Sequence, residues 1–275
     1  DYTTNSLVDS DLIGSATIKA KTNGVICGIP LATEIFHYVD PNLEVLSLIE
    51  DGEIVDKNTQ IISIKGKISS ILISERTVLN FLQRLSGIAT ETNKYVSEIS
   101  GIECKIIDTR KTTPGLRQLE KYAVRTGGAS NHRMNLSDGI LIKDNHIEAL
   151  KAKGLSLKQG VIIAKSKAPH TLKVEVETET LEQVQEAIDA GADIIMLDNM
   201  DIPTIQKAVA LINKKAVIEV SGGVNLTTVR KIAEQGVDLI SVGAITHSFS
   251  SLDISLDLSL IHISEPTRRT PLSYA

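Results

Sequence analysis

Between residues 104 and 242 the sequence repeats one rhythm. Six short apolar runs, at 104–107, 140–142, 172–176, 194–197, 216–220 and 239–242, alternate with stretches of helical pattern. The clearest helical stretches are 181–190, 202–212 and 226–235. Gly191 and Gly236 stand just past two of them, where a helix end favours a residue free to turn left-handed. The runs are continuous rather than alternating, so the sheet they build is covered on both faces. Six such units specify a parallel barrel or a doubly wound sheet.

The flanks read differently. Residues 15–73 suggest a separate, mostly antiparallel α+β unit. It has short strands at 16–21 and 61–64, and turns at Asn23-Gly24, Asp51-Gly52 and Lys65-Gly66. A helical pattern over 74–98, with Ser74 as its N-cap, links this unit to the barrel. At the other end Leu252, Ile254, Leu256, Leu258 and Leu260 alternate with Asp253, Ser255, Asp257 and Ser259. That is a half-buried strand, suited to rejoin the first unit's sheet. The expected organisation is an N-terminal domain with its linking helix (1–100), a barrel (101–247), a return strand (248–260) and a tail (261–275). The tail has no periodicity and reads as non-native sequence.

Composition narrows the function. The net charge is −5, there is no Trp, and aromatic residues make up 3%. Neither a nucleic-acid surface nor a base-stacking platform is expected from such a chain. No apolar run reaches a membrane span, and a cytoplasmic protein is expected. The chain begins with Asp1 rather than Met, so a preceding segment is expected. Cys27 and Cys104 fit no disulfide or metal spacing and read as small buried residues in a reduced compartment.

The chemistry follows the apolar runs. The first run leads into Asp108-Thr109-Arg110-Lys111-Thr112 and the second into Lys143-Asp144-Asn145-His146. The third ends in Glu175-Val176-Glu177, and the fourth leads into Asp198-Asn199. The fifth is followed by Ser221-Gly222-Gly223, and the sixth closes on Val242-Gly243-Ala244. Active sites of parallel α/β barrels are built at this edge, from several strands together.

Charge is concentrated too. Between residues 110 and 133 lie Arg110, Lys111, Arg117, Lys121, Arg125 and Arg133, with Glu120 as the one acid and His132 beside Arg133. A cationic patch on an acidic chain suits a small polyanion, because arginine matches carboxylates and phosphates two bonds at a time. Arg117, Lys121 and Arg125 share a helical face and read equally well as a solvated surface. Glu177 and Asp198 suit Mg²⁺, which takes few protein carboxylates plus substrate phosphates. They could equally position sugar hydroxyls or pair with Lys143 or Arg133. The glycines after the fifth and sixth runs are placed as phosphate loops or as tight turns.

Together these stretches resemble the quinolinate phosphoribosyltransferase family. The resemblance is carried by Ser74-Glu75-Arg76-Thr77 with Asn80-Phe81-Leu82-Gln83, Asp108 through Pro114, Gly127-Gly128 with Asn131-His132-Arg133, Leu141 through His146, Val174 through Glu177, Met196 through Asn199, and Ser221-Gly222-Gly223. It covers roughly residues 1–259. It implies an open-faced α+β sandwich domain plus an incomplete parallel α/β barrel, in a homodimer or larger assembly that shares sites between subunits. It implies transfer of phosphoribose from phosphoribosyl pyrophosphate to quinolinate, with decarboxylation to nicotinate mononucleotide. Arg76 would cross the interface. Arg110, Lys111, His132 and Arg133, with Thr109 beside them, would hold the acid, and Lys143 would lie near the reacting centre. Glu177 and Asp198 would face ribose and Mg²⁺. Ser221-Gly222-Gly223 and Val242-Gly243-Ala244 would take the 5′-phosphate. The family's N-terminal helix precedes the segment that starts here at Asp1, and the tail after Leu260 does not match. A sister transferase for another heterocyclic acid, a barrel aldolase using Lys143, and a non-catalytic relative are the alternatives.

Overall fold

A computed structural model describes residues 1–260, and the expected tail at 261–275 lies outside them. The N-terminal unit runs α1 (Tyr2–Leu7), β1 (Ile13–Ala20), β2 (Gly24–Val25), α2 (Ile29–Val39), β3 (Glu44–Ser47), β4 (Ile54–Val55) and β5 (Gln60–Lys67). A helix of 31 residues follows, α3 (Ile68–Glu98). The barrel is β6 (Lys105–Ile107), α4 (Arg117–Thr126), β7 (Ile140–Ile142), α5 (Asp144–Lys151), α6 (Leu157–Lys167), β8 (Val174–Thr178), α7 (Leu181–Asp189), β9 (Ile194–Asp198), α8 (Ile202–Ile212), β10 (Val217–Ser221), α9 (Val229–Ala233), β11 (Leu239–Ser241) and α10 (Ala244–His247). β12 (Ile254–Leu260) ends the described chain.

All six expected barrel strands form. Their order is β6-β11-β10-β9-β8-β7, and each neighbouring pair is parallel. The last strand therefore closes onto the first, while β6 and β7 leave a seam between them. Ser130 partly fills that seam with a single parallel bridge to Ile107. The barrel is incomplete, as the family resemblance implies.

The return strand pairs antiparallel with β1, placing Leu256 opposite Ile18 and Ile254 opposite Ala20. The resulting sheet has the order β12-β1-β5-β3. In β1 the residues Ala16, Ile18 and Ala20 alternate inward, giving the sheet one apolar face. That face carries the N-terminal core, together with Phe36 of α2 and Ile71, Val78 and Leu82 of α3. Further along α3, Leu85, Ile88, Ala89 and Tyr95 join the barrel's core. One helix thus belongs to two cores, and the two units pack as neighbours through it.

Three expectations need correction. α3 begins at Ile68, not Ser74; Ser74 is buried within it and its hydroxyl donates to the Ser70 carbonyl at 2.8 Å. β5 feeds directly into the helix, so no side-chain cap marks its start, and a helical serine can bond back to the i−4 carbonyl. In the 226–235 stretch only Val229–Ala233 is helical, because Asn225 and Thr228 spend its beginning on a turn closed from Asn225 N to Thr228 Oγ1. Cys27 is buried as expected, but Cys104 is half-buried. Burial pushes their thiols up to about 12 and about 11, so both stay protonated.

Candidate active site

Along a barrel strand every second side chain faces inward. Glu175 and Glu177 do so on β8, Met196 and Asp198 on β9, Glu219 and Ser221 on β10. Ser241 and Gly243 continue the pattern at β11. The upper members of these pairs, with the loops after β6 and β7, line a cavity of about 610 Å³ at the C-terminal ends of the strands.

One wall is cationic. Arg110, Lys111, His132, Arg133 and Lys143 line it. The Nε atoms of Arg110 and Arg133 are buried and, among the described residues, have no hydrogen-bond partner. Burial, and then the charge of Arg110, pull Arg133 below its usual value. Two guanidinium groups held close with unspent donors are arranged for an anion.

Behind this wall stands a buried scaffold. Asp108, at the end of β6, accepts from Lys121 Nζ at 2.6 Å, from the His132 amide at 2.7 Å and from Asn131 Nδ2 at 2.8 Å. Arg117 ties the same loop to its surroundings, donating to Thr112 Oγ1 and to the carbonyls of Met134 and Arg110. Glu120 is fully buried; it pairs with Arg84 of α3 and accepts the Thr113 amide. Of the six cations between 110 and 133, three therefore face the cavity. Lys121 is not a solvated surface residue but fully buried, and Arg117 is a half-buried brace.

An acidic pair lines the same cavity. Glu177 and Asp198 sit side by side, and among the described residues no cation lies within ion-pair distance of either. Burial first, then the charge of Asp198, push Glu177 up to about 7. Asn199 Nδ2 donates to Asp198 Oδ2 at 2.7 Å. In the loop after β10, Gly222 and Gly223 take φ of +88° and +63°, a conformation that glycine adopts at little cost. A Cβ on Gly222 would stand 2.8 Å from the Asn199 amide nitrogen, so this close approach needs glycine as well.

The family description of the quinolinate phosphoribosyl transferase C-terminal domain matches residues 88–257, and that of the N-terminal domain matches residues 1–86. The chain belongs to this family. Among quinolinate phosphoribosyl transferase relatives, the "probable nicotinate-nucleotide pyrophosphorylase (carboxylating)" of Synechocystis sp. is 45% identical over 248 residues, 89% of this chain and 83% of that one. The protein of the same description in Bacillus subtilis is 43% identical over 264 residues, covering 94% and 90%. The crystal structure of NadC from Streptococcus pyogenes superposes with a TM-score of 0.90 at 41% identity, covering 95% of this chain and 91% of that chain.

Of the site residues expected from the sequence and the family resemblance, the cavity gathers Thr109, Arg110, Lys111, His132, Arg133, Lys143, Glu177, Asp198, Ser221, Gly222, Gly223, Val242, Gly243 and Ala244. Arg76 is not among them; it lies exposed on α3. Within the family's barrel, sequence reasoning passed over Glu219 and His247, which also line the cavity, and gave no role to Asn199, a strand-end residue that lines it too. Glu219 was detectable, since it shares strand parity with Ser221 as Glu175 does with Glu177. His247 follows Gly243 by one helical turn and carries no signal of its own.

Proposed function

We propose that the protein transfers phosphoribose from phosphoribosyl pyrophosphate to quinolinate and releases nicotinate mononucleotide, pyrophosphate and carbon dioxide, a step of NAD biosynthesis. The observation that carries this reading is one cavity that brings a cluster of cations together with a pair of carboxylates, in a chain of this family. The cationic wall takes the two carboxylates of the acid. The acidic pair faces the ribose.

The reaction breaks the anomeric C–O bond, leaving positive charge on the ribose ring and negative charge on pyrophosphate. Glu177 and Asp198 stabilise the ring's charge by preorganised electrostatics. Arg110 and Arg133 hold the pyridine so that its nitrogen points at the anomeric carbon. Once alkylated, that nitrogen is cationic and draws electrons from the adjacent carbon as CO₂ leaves. Lys143, at the end of β7, supplies the proton to that carbon. Ser221-Gly222-Gly223 and Val242-Gly243-Ala244 cradle the 5′-phosphate.

The acidic pair also fits Mg²⁺: two adjacent carboxylates without a cation, one of them held near 7, are relieved by a divalent ion. Held by Glu177 and Asp198, Mg²⁺ would supply charge compensation to the leaving pyrophosphate. The working unit in this reading is a homodimer or larger, with Arg76 serving the cavity of a second copy. A cytoplasmic setting is part of the reading, supported by the unpaired thiols of Cys27 and Cys104. Among the described residues no helix is long and apolar enough to cross a membrane.

Substrate preference tests the reading. With phosphoribosyl pyrophosphate and Mg²⁺ fixed, kcat/KM is expected to favour quinolinate over the monoacid nicotinate by roughly a hundredfold or more, because a missing carboxylate strands a buried cation. Equal use of both acids would assign the protein to a sister reaction.

A further inference from the structure

We propose that Glu175 and Glu219 are positioning residues for the reaction, acting through His132: they hold its imidazole as the Nε2–H tautomer, which anchors the backbone of Arg133 and so aims that arginine into the cavity. This rests on reading the cavity as the quinolinate site.

His132 Nδ1 lies 2.7 Å from the backbone nitrogen of Arg133. A backbone N–H can only donate, so Nδ1 must offer its lone pair. The ring's proton then sits on Nε2. That atom faces Glu175 Oε2 at 3.3 Å and Glu219 Oε1 at 3.8 Å, both carboxyl groups being buried. The Arg133 amide donates into the ring at Nδ1, and the buried carboxyl groups beside Nε2 favour the proton there by charge, at ion-pair distance rather than through an aligned hydrogen bond.

The rest of His132 is fixed as well. Its amide donates to Asp108 and its carbonyl accepts from Lys121. Arg133 is held at a second point, where Nη1 donates to the Gly139 carbonyl at 2.8 Å. With its backbone and one terminal nitrogen tied, Arg133 keeps Nε as an unspent buried donor. Nδ1 of His132 is taken by the Arg133 amide, and Nε2 is turned toward the buried carboxyl groups of Glu175 and Glu219. It contributes shape and placement to the acid-binding wall, while the arginines contribute the bonds.

The three side chains also cluster as a metal site would, with one ligand atom from each within 4.8 Å of the others. The Arg133 amide argues against that use. A metal on Nε2 needs the lone pair there, and Nδ1 then carries a proton that would meet the N–H head-on.

The test has two arms. In the folded wild-type protein labelled with ¹⁵N-histidine, the His132 signals (identified by their loss in His132→Gln) should show Nε2 protonated and Nδ1 unprotonated at pH 8. The opposite tautomer, or a doubly protonated ring, would overturn the proposal. In steady-state kinetics, Glu175→Leu should raise KM for quinolinate about tenfold, the size of one lost polar contact, and leave KM for phosphoribosyl pyrophosphate unchanged. Glu175→Gln, which keeps an oxygen facing Nε2–H, should restore most of that loss. Unchanged KM for quinolinate in Glu175→Leu, or equal change in both KM values, would also overturn it. A protein that does not turn over quinolinate at all would refute the functional reading, and the NMR arm would still decide the tautomer.

Discussion

Lys121 Nζ stands 2.6 Å from Asp108 Oδ1, and neither side chain reaches solvent. Burial pushes Asp108 up and Lys121 down, each against the pull of its partner. Such a pair adds little net stability, but removing one member strands the other. Lys121→Met is expected to cost about 3–5 kcal/mol, read as a lowered urea midpoint. Combining it with Asp108→Asn should recover part of that loss. A single variant as stable as the wild type would mean that the pair is not buried in solution.

Glu177 links stability to pH. Its pKa in the fold, about 7, is above the ordinary 4.5, so the folded chain binds this proton more tightly than the unfolded chain does. Its stabilising contribution is therefore complete below 4.5 and lost as pH rises through 7. Glu177→Gln should melt higher than the wild type at pH 8, and the difference should vanish below about pH 5. The same change should lower kcat by roughly a hundredfold, by analogy with loss of one preorganised electrostatic group. A lower melting temperature for the variant at pH 8 would contradict the assigned environment.

Gly87 marks where α3 passes the return segment. A Cβ there would stand 2.8 Å from Ser251 Cα, and backbone cannot step aside as a flexible side chain can. Gly87→Ala should cost about 1–3 kcal/mol while leaving both KM values near wild type. An unchanged denaturation midpoint would show that the crossing is looser than the structure has it.

Arg76 gives a test of assembly. Arg76→Ala and Glu177→Gln should each be nearly inactive alone. Refolded together in equal amounts, they should recover about one quarter of wild-type activity, since half the dimers are mixed and each carries one intact site. Absence of recovery would place Arg76's role within its own subunit, or nowhere in the reaction.

Much of this was legible before the structure. Short β-branched runs buried on both faces announce themselves, and the polar residues after them sit at one end of a parallel barrel by topology alone. That is why Arg110, Lys143, Glu177, Asp198 and Ser221 could be picked out from five different segments. Lys121 could not be read correctly, because i, i+4 spacing puts residues on one helical face without saying what covers it. The cover is Asp108, on a neighbouring strand end. Glu219 escaped because β10 was taken as uniformly apolar, although its parity matches that of β8. The start of α3 was invisible because a strand runs straight into it.

The central claim is best tested by mixing the protein with quinolinate labelled at the 2-carboxyl carbon, phosphoribosyl pyrophosphate and Mg²⁺, and measuring labelled CO₂ and nicotinate mononucleotide together. Equal amounts of the two, formed only when all three components are present and formed roughly a hundredfold more slowly by Glu177→Gln, are the predicted result. Neither product from a folded, dimeric sample, or nucleotide without CO₂, would contradict the account.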